Sequence, residues 1–367
     1  MSSHFFTSES VCAGHPDKIA DQISDAILDA ALEQDPLSRV AVETLVTTNR
    51  IVLAGEVTTG AKIAYKKIVQ EQLRRLGYTE PLFQFGDYSP ISVLVHQQSA
   101  EIAAGVDLEG AGDQGMMFGY ACTETPQLMP APIMISHALA KEIDHARESK
   151  LLPYLRPDGK TQVTLKYEHG KPIAIETIVI AVPHQENITL HQVKKDILQY
   201  IIAPVVERFS FSVNAAQVIV NGTGVWHVGG PTADTGLTGR KIIVDGYGGY
   251  ARVGGGCFSG KDPTKVDRSG AYAARYLAKK IVHEGLAERA EVGLAYCIGQ
   301  AQPVMKSIES FGTANVSEKV LRDFVDESLD TSVRGIIEAL DLRKPIYLRT
   351  ASYGHFGKEE FPWEILT

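Results

Sequence analysis

Cysteine is scarce: four residues, Cys12, Cys122, Cys257 and Cys297, lie far apart with no CxxC spacing. That pattern excludes both a disulfide framework and a ribbon-type zinc site. No apolar run reaches the about 20 residues needed to span a bilayer, and MSSHFFTSES lacks a basic region leading into an apolar one. Nor is there a general excess of cations, because the formal net charge is −8. A broad nucleic-acid surface is therefore not expected. What remains is a chain expected in the cytoplasm, with neither membrane nor nucleic acid as partner. At 367 residues and 44% hydrophobic content, it is long enough for two or three domains with real cores.

Against this background one stretch stands out. Residues 235–272 read TGLTGRKIIVDGYGGYARVGGGCFSGKDPTKVDRSGAY. Glycines leave backbone N–H groups open to an anion and permit the turns that point them inward. Among them stand Arg240, Lys241, Lys261, Lys265 and Arg268, donors suited to phosphate oxygens. Asp262 and Asp267 lie between these cations, which a surface built only for anions would avoid. Carboxylates in such company point to a divalent metal, and the stretch reads as a polyphosphate–metal site. Its scaffold is expected to be a short apolar strand over 241–244, an Asp262-Pro263 helix start, and a helix running from Val266 to near Gly285. The N-terminus of that helix adds partial positive charge beside the loop.

The rest of the chain supplies sheets and further helices. A strand over 4–7 precedes GHPDK, where Pro16 and Asp17 suit the first turn of a helix whose apolar face is Ile19, Ile23, Ile27, Ala30 and Ala31. His15 and Asp17 read either as capping residues or as an oxyanion donor and a metal ligand. Residues 40–47 and 51–58 form an expected hairpin, interrupted by Glu43 and Glu56. A strand carboxylate faces solvent or, when buried, needs a cation, a metal or a bound amine. A helix is expected over 62–76 and a strand over 91–96. Residues 103–115 read as a gating loop or an ordinary surface connection, with Asp113 in GAGDQG able to approach a ligand. Beyond it we expect a helix over 129–146 and an exposed link carrying Arg156, Asp158 and Lys160. A hairpin of 161–167 and 173–182 follows, then a helix over 190–207 and a strand over 216–220. Trp226 could stack on a base or fill a core. A strand over 291–298 and helices over 317–326 and 331–340 complete the pattern, with YGHFG and FPWE sealing the last core. Strands in hairpins with covering helices, in three segments, imply an α+β fold of antiparallel or mixed sheets.

Two readings of the glycine stretch compete at this level. Gly255 to Lys261 satisfies G-x-x-x-x-G-K, but Asp262 stands where a P-loop has Ser or Thr, and the apolar segment ends well before the loop. A non-catalytic nucleotide-binding protein would need the cations but not His15, Asp17 and Glu56. A third reading comes from resemblance. GHPDKIADQISDAILDA, GAGDQG, TGLTGRKIIVDGYGG and GGGCFSGKDPTKVDRS, in that order and with YGHFG and FPWE at the end, resemble the S-adenosylmethionine synthetases (methionine adenosyltransferases) along essentially the whole chain.

The resemblance implies a reaction of ATP with L-methionine in which sulfur attacks C5′, followed by hydrolysis of the bound triphosphate to pyrophosphate and phosphate. It implies His15 as donor at the leaving oxygen, and Lys160, Arg240, Lys241, Lys261 and Lys265 as phosphate ligands. Asp158, Val225, Trp226, Asp234 and Cys257 would lie at ATP. Glu56, Gln98 and Asp113 would lie at methionine, joined by Asp234 and Lys265. It further implies two Mg²⁺ per site, served by Asp17 and Asp267, and K⁺ near Glu43. Three similar domains in a pseudo-threefold arrangement are implied, here bounded at 1–102, 111–227 and 228–367, with 103–110 in a gating loop. So is a dimer or tetramer whose sites are shared between subunits.

The chain departs from the family pattern in three places. It is short between Gly105 and Gly112. It has Val225 where an Arg before an aromatic is usual, and Cys257 where Ala is usual. The Cys257 thiol is expected either to favour its thiolate in the positive loop or to be inert.

Overall fold

The computed structural model describes residues 3–97 and 110–366. Its strands are β1 (His4–Val11), β2 (Arg39–Thr47), β3 (Arg50–Thr58), β4 (Ile91–His96), β5 (Gly115–Cys122), β6 (Lys160–Glu168), β7 (Lys171–Ala181), β8 (Val218–Val220), β9 (Gly236–Leu237), β10 (Arg289–Tyr296) and β11 (Met305–Glu309). Its helices are α1 (Pro16–Gln34), α2 (Tyr65–Leu76), α3 (Ala131–Glu148), α4 (Leu190–Asp196), α5 (Ala203–Arg208), α6 (Ile242–Asp245), α7 (Val266–His283), α8 (Glu318–Ser328) and α9 (Val333–Ala339). A π-helical turn, Ile197–Ile202, joins α4 to α5.

The strands assemble into three sheets, ordered β1-β6-β7-β8, β4-β3-β2-β9 and β11-β10-β5. Pairing is antiparallel except between β3 and β4 and between β7 and β8. A long helix packs on each sheet: α3 on the first, α1 on the second and α7 on the third. The fold is therefore α+β with mixed sheets. Each sheet draws strands from distant parts of the chain, so β1 joins the central hairpin, β5 joins β10, and β9 joins β2.

Local chemistry explains most boundaries. Pro16 sits in the first turn of α1, where its missing N–H leaves no bond unmade. The β2–β3 hairpin and the strand β4 stand where alternation places them. His169 and Gly170, both at positive φ, close the β6–β7 hairpin more tightly than a four-residue connection would. The strand β1 outlasts its expected end because residues 4–11 pair fully with 167–160.

Three segments depart from expectation. Residues 242–245 form a helical turn, not a strand: Asp245 N–H bonds Lys241 C=O at 2.8 Å, and buried Lys18 reaches the Asp245 carboxylate at 2.5 Å. The helix α7 begins at Val266, as its apolar pattern indicates, but Asp262-Pro263 does not start it. Asp262 instead accepts from Thr264 N–H at 2.9 Å and its hydroxyl at 2.6 Å in a preceding turn. The strand β5 was hidden by its glycines, of which Gly119 is required by contact. A Cβ there would lie 1.9 Å from the Ala274 backbone, where α7 crosses the sheet.

The C-terminal FPWE does close a core: Phe361 and Trp363 are fully buried. Glu364 accepts from Arg275 through both of its oxygens at 3.0 and 2.9 Å, and Lys279 lies 2.9 Å away. Removing this carboxylate leaves two buried cations without a counter-charge. Glu364→Ala should therefore lower stability by about 3–5 kcal/mol, measured by urea unfolding, with Glu364→Gln losing less. A loss below about 1 kcal/mol would show that the pair does not hold the terminus.

Candidate active site

The N-terminus of α1 carries the reactive end of the site. His15 is the N-cap residue, and its Nδ1 accepts the Asp17 N–H at 3.2 Å. Nδ1 is thus an acceptor, so the ring proton resides on Nε2, where it can be donated. Burial pushes the imidazole pKa down to about 3, helped by the charges of Lys241 and Lys160 and opposed by Asp17. At neutral pH His15 is an uncharged N–H donor. The Asp17 carboxylate accepts from Lys241 at 2.6 Å and from Leu237 N–H at 3.0 Å, with Arg240 3.7 Å away. Burial opposes its ionisation, but these donors outweigh burial and hold its pKa below the usual carboxylate value.

Along α1, Asp17, Asp21, Asp25 and Asp29 recur every four residues and form one stripe. Each accepts backbone N–H groups from remote chain: Leu237, Gly239, Gly260, and the pair Tyr347 and Leu348. Asp25 also binds Arg268 with both oxygens, at 2.7 and 2.9 Å. Lys18 lies between Asp21 at 2.9 Å and Asp245 at 2.5 Å. Burial works against its charge, yet these two carboxylates raise its pKa. The four-residue spacing of the stripe is visible in GHPDKIADQISDAILDA, beside the apolar face of the same helix.

The glycine loop lies against β2. Val42 N–H bonds Gly260 C=O at 3.1 Å, and Asp262 N–H bonds Val40 C=O at 3.0 Å. Within the loop Lys261 pairs with Asp267 at 2.5 Å, and Lys265 pairs with Asp262. Asp262 is fully buried and also accepts the Val40 N–H, so it is a structural carboxylate. The segment after Lys261 enters an Asp-capped turn and not a helix, which sets the P-loop reading aside. Burial raises the Cys257 thiol pKa, with Lys261 opposing, which agrees with the inert alternative and not with a favoured thiolate. Cys257 is within electrostatic reach of Asp21, Asp267 and Glu43, and so links the α1 end of the site to the glycine loop.

Lys261 faces Ala41, which pairs with Glu56, which pairs with His96, giving one row across the second sheet. His96 Nε2 lies 3.2 Å from Glu56. Strand alternation puts Glu43 on the same face as Glu56. Desolvation and Glu56 raise the Glu43 pKa, with Lys261 opposing.

The remaining sequence candidates are placed unevenly. Lys160 is exposed at the start of β6, near enough to His15 to act on its charge. Asp158 is not exposed as expected: it is buried and accepts Gly159 N–H and Gly230 N–H, each at 2.7 Å. Trp226 is half-buried rather than in a core, its Nε1–H donated to Val228 C=O at 2.8 Å, and Val225 beside it is exposed. Asp234 and Asp113 are exposed. Gln98 and residues 103–109 of the expected gating loop lie outside the described residues.

The arrangement joins a neutral N–H donor, the cations Arg240, Lys241, Lys261, Lys265 and Lys160, and three carboxylates, Asp17, Asp262 and Asp267, that each hold a lysine. Among the described residues no group of three His, Cys, Asp or Glu forms a ready-made metal cage. Asp17 and Asp267 nevertheless fit a cation that takes one protein carboxylate and completes its shell with phosphate oxygens and water. Among the described residues no helix is long and apolar enough to cross a membrane. Family models match the chain in three consecutive segments. They are S-adenosylmethionine synthetase, N-terminal domain over residues 3–100, central domain over 108–226, and C-terminal domain over 228–365.

Asp158 yields a test of the architecture beneath the site. Burial pushes its pKa up to about 7, against which the Gly230 and Gly159 N–H groups work. Between about pH 4 and about 7 the unfolded state then binds fewer protons than the native state, so this residue makes stability fall as pH rises. Asp158→Asn should flatten that part of the stability–pH profile, read by urea unfolding across the range. An unchanged slope would show that Asp158 ionises normally in the fold.

Proposed function

The chain belongs to the S-adenosylmethionine synthetase family, which makes S-adenosylmethionine from ATP and methionine, and on that premise we propose a role for each site residue. Methionine sulfur attacks C5′ of ATP, and the triphosphate leaves as a unit. It is then hydrolysed to pyrophosphate and phosphate before release. Charge gathers on the bridging oxygen as the C5′–O bond breaks. An N–H group placed there stabilises the transition state more than the bound substrate. His15 is assigned that role, and the observation that carries it is a buried, uncharged imidazole whose Nδ1 is engaged and whose Nε2 carries the proton.

Arg240, Lys241, Lys261, Lys265 and Lys160 are assigned to the phosphate oxygens. Lys241 and Lys261 rest on Asp17 and Asp267. Binding of triphosphate would exchange those partners, leaving the two carboxylates to hold Mg²⁺. Mg²⁺, when bound, neutralises charge across the phosphate oxygens. Glu43 is assigned to K⁺, consistent with its lying near a second carboxylate.

Glu56, with Gln98 and Asp113, is assigned to the methionine amino group, and Asp234, Trp226 and Val225 to adenosine. Asp158 and Cys257 would act from below, through Gly230 and through the loop packing, and Lys265 would lie where the two ligands meet. Leu94 is 62% exposed on the same sheet face as Glu56 and His96. Self-association as a dimer or tetramer with shared sites is assigned on the premise of family membership. A cytoplasmic location agrees with these substrates.

The product assay tests the reaction. With ATP, methionine, Mg²⁺ and K⁺, the chain should release S-adenosylmethionine, pyrophosphate and phosphate together, and none of the three when methionine is withheld. Formation of ADP and phosphate without methionine would overturn the reading. His15→Asn should slow adenosyl transfer about 100-fold or more while affecting hydrolysis of added triphosphate far less. Equal losses in both steps would remove His15 from the leaving oxygen.

A further inference from the structure

His15 stands on the dipeptide Ala13–Gly14, and almost every polar atom of that dipeptide is held from elsewhere. Ala13 N–H donates to the Asp144 carboxylate on α3 at 2.7 Å. Ala13 C=O accepts from Gln22 of α1 at 2.7 Å. Gly14 C=O accepts from the Tyr78 hydroxyl at 2.6 Å, and the same hydroxyl is 2.9 Å from Pro157 C=O. Gly14 is tightly confined: a Cβ on it would fall 1.6 Å from Pro157 oxygen. Asp144 is in turn held by the Tyr353 hydroxyl at 2.7 Å, from the C-terminal YGHFG segment, and Arg147 lies 3.6 Å away. Both Asp144 and Tyr78 are buried, at 3% and 0% exposure.

We propose that Asp144 and Tyr78 are positioning residues for adenosyl transfer, acting only through His15. Neither is among the groups that hold His15 directly; they fix the backbone from which its ring projects. A donor aimed at a developing charge must be placed within a few tenths of an ångström, and an about 1 Å displacement is enough to lose about 100-fold in rate. The main chain before a helix N-cap has no helical bonds of its own to set its height. Asp144 supplies that constraint from α3, and Tyr78 supplies it from the segment after α2. Tyr78 further ties the His15 pedestal to Pro157, and hence through Asp158 and Gly159 to Lys160 at the start of β6. Cys12 N–H bonds Gly159 C=O at 3.0 Å and closes the same link.

The proposal rests on the reading of His15 as the donor, and a double-mutant cycle separates the two. Asp144→Ala should lower the single-turnover rate of adenosyl transfer about 10- to 100-fold, with KM for ATP and methionine little changed. Hydrolysis of added triphosphate should be spared. Asp144→Asn, which keeps an acceptor for the Ala13 N–H, should recover most of the rate. In the His15→Asn background, Asp144→Ala should cost less than about twofold more, because the group it aims is already absent.

The same loss in both backgrounds, or equal losses in transfer and hydrolysis, would overturn the positioning role while leaving His15 its assignment. A His15→Asn enzyme that transfers at the normal rate would overturn both. Tyr78→Phe, which keeps the ring and loses only the hydroxyl, goes through the same cycle with the same expectation. It decides the matter should Asp144→Ala fail to fold by circular dichroism.

Discussion

The structure depends on a stripe of carboxylates along one helix. Asp17, Asp21, Asp25 and Asp29 each accept main-chain N–H groups from remote chain between Leu237 and Leu348. Burial pushes the Asp21 and Asp29 pKa values up to about 7, and hydrogen bonds to such groups contribute about 0.5–1.5 kcal/mol each, rising to about 1.5–3 kcal/mol where the acceptor is ionised. Here they also do what apolar packing cannot, which is to fix irregular, glycine-rich backbone in one conformation. Apart from Phe258, which packs on Tyr272 and His355, loops 235–241 and 255–265 carry mainly small or polar side chains. Their position is set by N–H groups meeting a rigid row of acceptors on α1.

That constraint also organises the electrostatics. Carboxylates that brace the loops sit among the lysines that the loops carry, so these cations are paired. Lys241 rests on Asp17, Lys261 on Asp267, and Lys265 on Asp262. Asp262 is further engaged by buried backbone and side-chain donors, and Asp17 is buried with one oxygen on Leu237 N–H and the other on Lys241. In this company His15 stays uncharged, because burial and nearby cations both oppose its protonation. A neutral donor amid fixed positive charge suits a reaction whose leaving group gathers negative charge and whose environment is already reorganised to receive it.

The site also explains why sheets are built from remote segments. Drawing β1 beside β6 places GHPDK next to Lys160, and drawing β9 beside β2 places Arg240 and Lys241 over Asp17. The antiparallel contact of Lys261 with Ala41 brings the glycine loop to the edge of the row holding Glu56 and His96. Register in these pairings is enforced by burial of the opposite face, where Val40, Val42, Val46, Ile51 and Leu53 are inaccessible. A one-residue slip would turn Glu43 and Glu56 into that core.

The α+β character and most of the long helices and hairpins were legible in the sequence, as were the residues proposed for the chemistry. Those features follow from short-range rules: alternation in β2 and β3, the Pro16 start of α1, and the clustering of glycines with lysines. It did not reveal which carboxylates are spent on structure. Asp158 and Asp262 looked like their functional neighbours, and only tertiary contact showed them buried against backbone N–H groups. Nor could it show that 242–245 coils into a turn, since apolar β-branched residues favour a strand until Lys18 claims Asp245. The strand β5 escaped notice because Gly119 answers to α7 crossing above it and not to its own neighbours in the chain. The difference is one of range: propensity and pattern act over a few residues, whereas burial, pairing and charge state are decided by groups hundreds of residues away.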